Sequence, residues 1–173
     1  LGMKQGYDEI LAENPDVEVV LEQYCEAYSA EKALKYAENA LSANNDDIDA
    51  IVCTADVLAL GILPALQSAG ISGDVFLTGM DCEVAAMKAV NRGEIGIDIW
   101  TKIDECATKA AECAIALIKG DEIESDEMVV NGEYEVPKIF VPIVGVTKDN
   151  LEEWATEIAP EGWITMDEIN LES

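Results

Sequence analysis

The sequence has 173 residues, of which 36 are acidic and 10 basic, and its formal net charge is −26 at pH 7. A field of this sign repels nucleic acid, which proteins bind by neutralising phosphates with Lys and Arg, and it disfavours anionic membranes and polyanionic ligands. The acidity is typical of the solvated surface of an extracellular or salt-adapted protein; a basic partner is the alternative. The hydrophobic fraction of 50% is enough for a buried core, and no stretch approaches the roughly 20 apolar residues of a membrane span.

The sequence contains no histidine and an odd number of cysteines. Without histidine, the Ser/His and Cys/His nucleophile systems cannot form, and a transition-metal site is disfavoured. The cysteines form no CxxC pair, and their odd count argues against a disulfide framework. We therefore expect a non-enzyme with no metal and no cofactor. The five cysteines are Cys25, Cys53, Cys82, Cys106 and Cys113.

Helical and strand patterns alternate along the chain. Helices are predicted over 2–13, 29–44 with Ser29 as N-cap, 56–70, 83–92 and 103–119, with Gly70, Gly93 and Gly120 at the ends of the last three. Short apolar strands are predicted over 17–21, 48–53, 75–77 and 95–100. This alternation is typical of an α/β fold with a doubly wound parallel sheet and helices on both faces.

The ends of the chain are read differently. Because the order begins with a helix, a strand before Leu1 is expected, and with no signal peptide the sequence is expected to be a fragment or a processed piece. Residues 121–131 are predicted to be an acidic loop. Residues 134–146 are predicted to be an edge or crossover segment, since Pro137 and Pro142 exclude a central strand. We divide the chain into an α/β unit, 1–133, and a crossover strand with a tail helix, 134–173.

Acidic and aromatic side chains follow the predicted strands. In an open parallel sheet, ligands bind beyond the carboxyl ends of the strands. The candidate residues there are Tyr24, Tyr28, Asp56, Asp81 and Trp100. Carboxylates accept hydrogen bonds from sugar hydroxyls, and aromatic faces cover the apolar face of a sugar ring. Structural roles stay open, because Asp56 and Asp81 could cap the helices that follow them and Trp100 could be a packing residue.

Several of these motifs resemble one family. Residues 48–61 resemble the IDAIVAxNDxxAxG stretch of type 1 periplasmic binding proteins, 77–81 resemble the vxGxD strand end, and 89–93 the aIxxG helix end. Residues 33–45 and 136–151 are similar to the D-xylose-binding branch of that family. The resemblance covers essentially the whole chain.

The resemblance implies the C-terminal lobe of a two-lobed sugar-binding protein that delivers a monosaccharide, in this branch a pentose, to an ABC permease. Residues 1–133 would then be the sugar-binding lobe, and the N-terminal lobe would be missing. In that family Asp56 matches an aspartate that binds sugar hydroxyls, Asp81 a second polar position and Tyr24 a stacking tryptophan. The expected location is extracytoplasmic, in the periplasm or lipid-anchored at the cell surface.

The sequence also departs from the branch. Ala55 replaces an asparagine, Met80 a polar residue and Thr101 a lysine. Each lost hydrogen-bond partner costs roughly 1–3 kcal/mol, so the pocket is either tuned to a less hydroxylated ligand or degenerate. A lone lobe leaves the crossover uncovered, which favours a homodimer or a repacked tail.

Two other functions remain as alternatives. The first is a regulatory module, either the effector domain of a LacI-type repressor or a sensor that presents its closed lobe to a chemoreceptor. The second is a flavodoxin-like enzyme, which would need a glycine-rich phosphate loop that the sequence does not show.

Overall fold

The computed structural model describes residues 2–171; residues 172 and 173 of the predicted tail, and Leu1, lie outside this range. The helices are α1 (Gly2–Glu13), α2 (Ala30–Ala43), α3 (Asp56–Ala69), α4 (Val84–Arg92), α5 (Ile103–Lys119), α6 (Leu151–Glu153, continued by the π-helical turn Trp154–Ile158) and α7 (Met166–Asn170). The strands are β1 (Ala50–Ile51), β2 (Phe76–Met80), β3 (Ile97–Trp100), β4 (Glu127–Asn131), β5 (Tyr134–Lys138) and β6 (Val144–Val146).

A four-stranded sheet in the order β1-β2-β3-β6 forms the centre of the fold. Strands β1, β2 and β3 are parallel, with Ile51 opposite Leu77 and Gly79 opposite Asp98. Strand β6 pairs with β3 in the antiparallel direction. The predicted α/β class with a parallel sheet is therefore confirmed, with one antiparallel edge strand that the sequence patterns did not separate from the crossover.

The predicted strand over 17–21 is wrong for the described residues, because this segment joins no sheet. A strand exists only when a neighbour accepts and donates its backbone hydrogen bonds, and within 2–171 this segment has no such neighbour. Its apolar side chains, among them Val17, Val19 and Leu21, are exposed. Apolar content alone did not determine the conformation.

A hairpin strand takes the place of the last five residues of the predicted acidic loop over 121–131. Strands β4 and β5 pair antiparallel, with Asn131 opposite Tyr134 across a two-residue turn. Gly132 begins that turn at a φ of 65°, which glycine adopts without steric cost. Pro137 lies on this two-stranded ribbon rather than in a central strand, as predicted. The hairpin spans the predicted division after residue 133.

One face of the sheet is packed by helices α2, α3 and α4 and by the tail. These elements contribute buried side chains to a single core cluster that includes Leu41, Leu66, Leu77, Val90 and Ile169. Helices α1 and α5 bury none of their side chains within the described residues, so the expected second layer is not packed there. No helix among residues 2–171 is long and apolar enough to cross a membrane.

The predicted helix caps are observed. The Ser29 hydroxyl accepts a hydrogen bond from the Lys32 amide (3.3 Å) at the start of α2. Gly70, Gly93 and Gly120 end α3, α4 and α5 in the left-handed conformation, with φ between 74° and 79°. These ends are determined by local chemistry, which is why the sequence predicts them.

Helices α2 and α3 come into close contact at Gly61. A methyl group at this position would lie 2.8 Å from the Ala30 carbonyl oxygen and 2.9 Å from its Cα. Those atoms belong to the backbone and cannot move aside without shifting the helix. Gly61 therefore sets the distance between the two helices.

We predict that Gly61→Ala lowers the free energy of unfolding by about 1–3 kcal/mol, because overpacking outweighs the gain in helix propensity. The matched control is Gly6→Ala in α1, where nothing lies within 4 Å of the new methyl group. It should raise the free energy of unfolding by about 0.5–1 kcal/mol. Urea unfolding measures both, and equal stabilisation by the two variants would contradict the close approach.

Candidate functional site at the carboxyl ends of the parallel strands

The carboxyl ends of β1, β2 and β3 are tied together by side chains. The Thr78 hydroxyl accepts a hydrogen bond from the Cys53 amide (2.9 Å) and donates one to the Cys53 carbonyl (3.2 Å). This side chain takes the place of backbone pairing beyond Ile51, which explains why β1 is shorter than the predicted strand over 48–53. Thr54, Ala55 and Asp56 follow directly.

Asp81 lies at the end of β2 with an exposed side chain. Its amide donates a hydrogen bond to the Ile99 carbonyl (3.1 Å) on the neighbouring strand. Partial desolvation, with the negative charges of Asp98 and Glu83, raises its pKa. The predicted alternative role as a cap is not observed, because the N-cap residue of α4 is Glu83 and no side chain caps this helix. Asp81 is the candidate whose carboxylate is open to a ligand.

Asp56 is completely buried. It is the first residue of α3 and does not cap that helix. Its Oδ2 instead accepts a hydrogen bond from the Glu83 amide (2.7 Å) at the start of α4, while its Oδ1 has no partner in the described structure. The structural role is thus a link between two helix starts, different from the cap that the sequence suggested.

Asp98 is the residue that sequence reasoning missed. It points from β3 into the core and is completely buried. Its Oδ1 accepts hydrogen bonds from the Cys82 amide (3.3 Å) and thiol (3.6 Å), and its Oδ2 has no partner in the described part of the chain. An aspartate inside the otherwise apolar strand Ile97–Trp100 was the available signal, since a charged side chain in a core strand needs a reason.

The two carboxyl groups meet over Gly79. A methyl group at Gly79 would lie 2.5 Å from Asp56 Oδ1 and 2.6 Å from Asp98 Oδ2, the two oxygens without partners. Burial, followed by the hydrogen bond that a protonated Asp56 would make to Asp98 and by the charge of Asp98, raises the pKa of Asp56 to about 9. Two buried carboxylates in contact cannot both be charged, so the pair holds a proton at neutral pH.

Trp100 is only 1% exposed. Its ring makes edge contacts with Trp154 (5.8 Å between centroids) and Trp163 (5.0 Å). Trp163 is 46% exposed and separates Trp100 from solvent on that side. The indole Nε1 atoms of Trp100 and Trp154 are buried without a partner in the described residues. In this arrangement Trp100 packs beneath the tail.

The two tyrosines lie on the surface before α2. Tyr24 is 84% exposed and Tyr28 is 55% exposed, and Tyr28 has a φ of 51° in a short turn. The structure therefore brings Asp56, Asp81 and Asp98 together but leaves both tyrosine rings in solvent. Of the positions that depart from the xylose branch, Ala55 is buried while Met80 and Thr101 are half-buried.

The thiols at this end of the sheet are buried and neutral. Burial, with smaller contributions from Cys25 and Asp56, raises the pKa of Cys53 to about 12. Burial and the charge of Asp98 also raise the pKa of Cys82. A thiol with a raised pKa is a poor nucleophile and a poor metal ligand. Within residues 2–171, no three Cys, Asp or Glu side chains are placed to share a metal ion.

A parallel sheet whose carboxyl edge presents polar groups is the arrangement of ligand-binding α/β proteins. The periplasmic binding protein domain matches residues 2–122. The chain is 36% identical over 152 residues to the D-xylose-binding periplasmic protein of Haemophilus influenzae, covering 88% of this chain and 46% of that protein. It is also 36% identical over 137 residues to the protein of the same name from Escherichia coli, covering 79% of this chain and 42% of that protein.

Solved structures agree with the sequence relatives. An ABC transporter periplasmic solute-binding protein from Actinobacillus succinogenes with bound D-allose superposes with a TM-score of 0.72 at 27% identity, over 87% of this chain and 48% of the other. A solute-binding protein from Bacillus halodurans with bound myo-inositol gives 0.69 at 26% identity, over 87% and 47%. The chain belongs to the periplasmic binding protein family, and it spans about half the length of the curated relatives it matches.

We predict that the protein becomes less stable as the pH rises from about 4 to about 9. The folded state keeps the Asp56 proton up to a pKa of about 9, whereas an unfolded chain loses it near the ordinary value of 3.8. Stability from this proton is therefore complete in acid and is lost as the pH rises, by up to about 1.4 kcal/mol per pH unit.

Asp56→Asn tests this expectation, because the amide keeps an acceptor for the Glu83 amide and needs no proton. The difference in free energy of unfolding between wild type and variant, from urea melts at pH 5 and pH 8, should shift in favour of the variant at pH 8. A difference that does not change with pH would show that the pair holds no extra proton. Asp74→Asn, at an exposed loop position, serves as the control.

Proposed function

We propose that this chain forms one wall of a monosaccharide-binding site in the solute-binding component of an ABC transporter. The observation that supports this most is the exposed Asp81 carboxylate, held at the carboxyl end of β2 on a loop whose backbone is hydrogen-bonded to the next strand. A carboxylate on a backbone held in this way accepts hydrogen bonds from adjacent sugar hydroxyls at little cost in backbone ordering.

We propose that the Asp81 carboxylate binds the ligand directly. Asp56 is proposed to act indirectly, by accepting the Glu83 amide and so holding the loop that carries Asp81. The exposed rings of Tyr24 and Tyr28 are proposed as surfaces that stack on the apolar face of a sugar. For Trp100 to touch a ligand, Trp163 would have to move aside. The relatives are named as binding proteins, which supports reversible binding of a sugar rather than catalysis.

The transport role is proposed from the relatives. Two of them are named as periplasmic D-xylose-binding proteins, and a third, from Mycolicibacterium smegmatis, is named a xylitol-binding protein and is 30% identical over 149 residues. We propose an extracytoplasmic location, either periplasmic or lipid-anchored, and delivery of the ligand to a permease. The net charge of −26 is compatible with a neutral polyol and unfavourable for phosphorylated sugars.

A complete pocket is proposed to need a second wall. A closed site buries most of its ligand, and the entropic cost of association is nearly the same when fewer contacts are made. One wall alone should therefore bind weakly. The exposed Phe140, with Ile139 and Val141 beside it on the crossover, is proposed as a surface for the other lobe or for a second copy of this chain.

We predict that the 173-residue chain binds D-xylose no more tightly than about 1 mM. NMR titration measures affinities in this range residue by residue. Amides of the loop 81–83 should shift on titration, whereas those of the hairpin Glu127–Lys138 should not. Micromolar binding by a monomer, checked by light scattering, would mean that this lobe is a complete receptor.

Asp81→Asn should weaken the same binding about tenfold or more, because a hydrogen bond to a charged group contributes about 1.5–3 kcal/mol. Asp74→Asn is the matched control: it removes the same charge from an exposed position before β2, at the other end of the strand. Equal effects of the two variants would indicate that only the overall charge matters and would contradict Asp81 as a ligand group.

A further inference from the structure

The loop that follows β2 has a strained backbone. Asp81 has a φ of 113° and Cys82 a φ of 54°, so two successive residues other than glycine lie in the left-handed region. This conformation is unfavourable for residues other than glycine and persists only where the surroundings enforce it. The surroundings of this loop must therefore supply that restraint.

Three successive backbone amides of the loop are held by three acceptors. The Asp81 amide donates to the Ile99 carbonyl (3.1 Å), the Cys82 amide to Asp98 Oδ1 (3.3 Å), and the Glu83 amide to Asp56 Oδ2 (2.7 Å). Two of the three acceptors are buried carboxyl groups, one from α3 and one from β3. The loop is thus fastened to two elements that are distant in sequence.

The same two carboxyl groups face each other with their remaining oxygens. Asp56 Oδ1 and Asp98 Oδ2 lie on either side of the space over Gly79, and neither has another partner in the described structure. The titratable groups around them are Cys53, Asp81, Cys82 and Glu83, all neutral or negative. No lysine or arginine among residues 2–171 contacts the pair, so repulsion must be relieved by a proton.

We propose that Asp56 and Asp98 share one proton and act as positioning residues, which together hold the loop 81–83 so that Asp81 presents its carboxylate to the ligand. The ligand part of this proposal rests on the proposed function; the positioning of the loop does not. The raised pKa of Asp56 supports the presence of the proton at neutral pH. Loss of the proton leaves two adjacent negative charges, and their repulsion releases the loop.

Asp98→Asn distinguishes positioning from simple packing. The asparagine oxygen can still accept from the Cys82 amide, and its amide group can donate permanently to Asp56, in place of the shared proton. The variant should therefore keep the loop conformation at neutral pH and retain it under alkaline conditions. Asp98→Ala removes both functions and should release the loop at every pH.

The experiment follows two NMR signals in wild type, Asp98→Asn and Asp98→Ala between pH 6 and pH 10. Carboxyl carbon shifts of Asp56 and Asp98 report the proton, and the Cα shifts of Asp81 and Cys82, which depend on their unusual backbone angles, report the loop. In wild type, we expect both signals to change together at alkaline pH. In Asp98→Asn, the loop signals should be independent of pH. The proposal would be overturned if the wild-type loop signals do not change when the carboxyl groups titrate.

The affinity for D-xylose, measured from methyl shifts, gives a second readout. Wild-type affinity should fall at alkaline pH by at most about tenfold per pH unit, the limit for one proton, whereas Asp98→Asn should show no such fall. Absence of xylose binding at every pH would contradict the proposed function. The loop signals would still show whether Asp56 and Asp98 position the loop 81–83. Should Asp98→Ala fail to fold, the comparison of wild type with Asp98→Asn is sufficient.

Discussion

The contact between two buried carboxyl groups over Gly79 is the constraint on which the candidate site depends. Asp56 comes from the start of α3 and Asp98 from β3, and between them they accept the amides of Cys82 and Glu83. This arrangement needs glycine at position 79, because any side chain there would collide with both carboxyl groups. The loop that carries Asp81 is therefore determined by three positions that lie far apart in the sequence.

The sequence predicts much of the fold because many of its signals are local. The start of α2 follows from Ser29, and the ends of α3 and α5 follow from Gly70 and Gly120, because the chemistry of these residues acts within one helical turn. The hairpin at 127–138 also has a local signal, since its two-residue turn begins with Gly132, but the acidic composition around it suggested a loop. The segment 17–21 shows the opposite case, in which apolar residues had no neighbour to pair with.

The site was less predictable because its contacts are formed across the sheet. Asp56 and Asp81 were expected at this edge, and the structure places both there, but their roles differ: one is buried and hydrogen-bonded to the backbone, the other exposed. Asp98 could not be placed without knowing the register that sets it opposite Gly79. Trp100 points to the same side of β3 as Asp98 and is covered by the tail, which no local pattern indicated.

The tryptophan cluster gives the protein a property that its composition alone would not suggest. The sequence has three tryptophans, and all of them, Trp100, Trp154 and Trp163, meet where the tail crosses the end of β3. Tryptophan fluorescence will therefore report on one region of the molecule, and it will not respond to changes in distant parts such as α1 or the hairpin. Because Trp163 is half exposed and the other two are buried, lifting of the tail alone would shift the emission toward longer wavelengths.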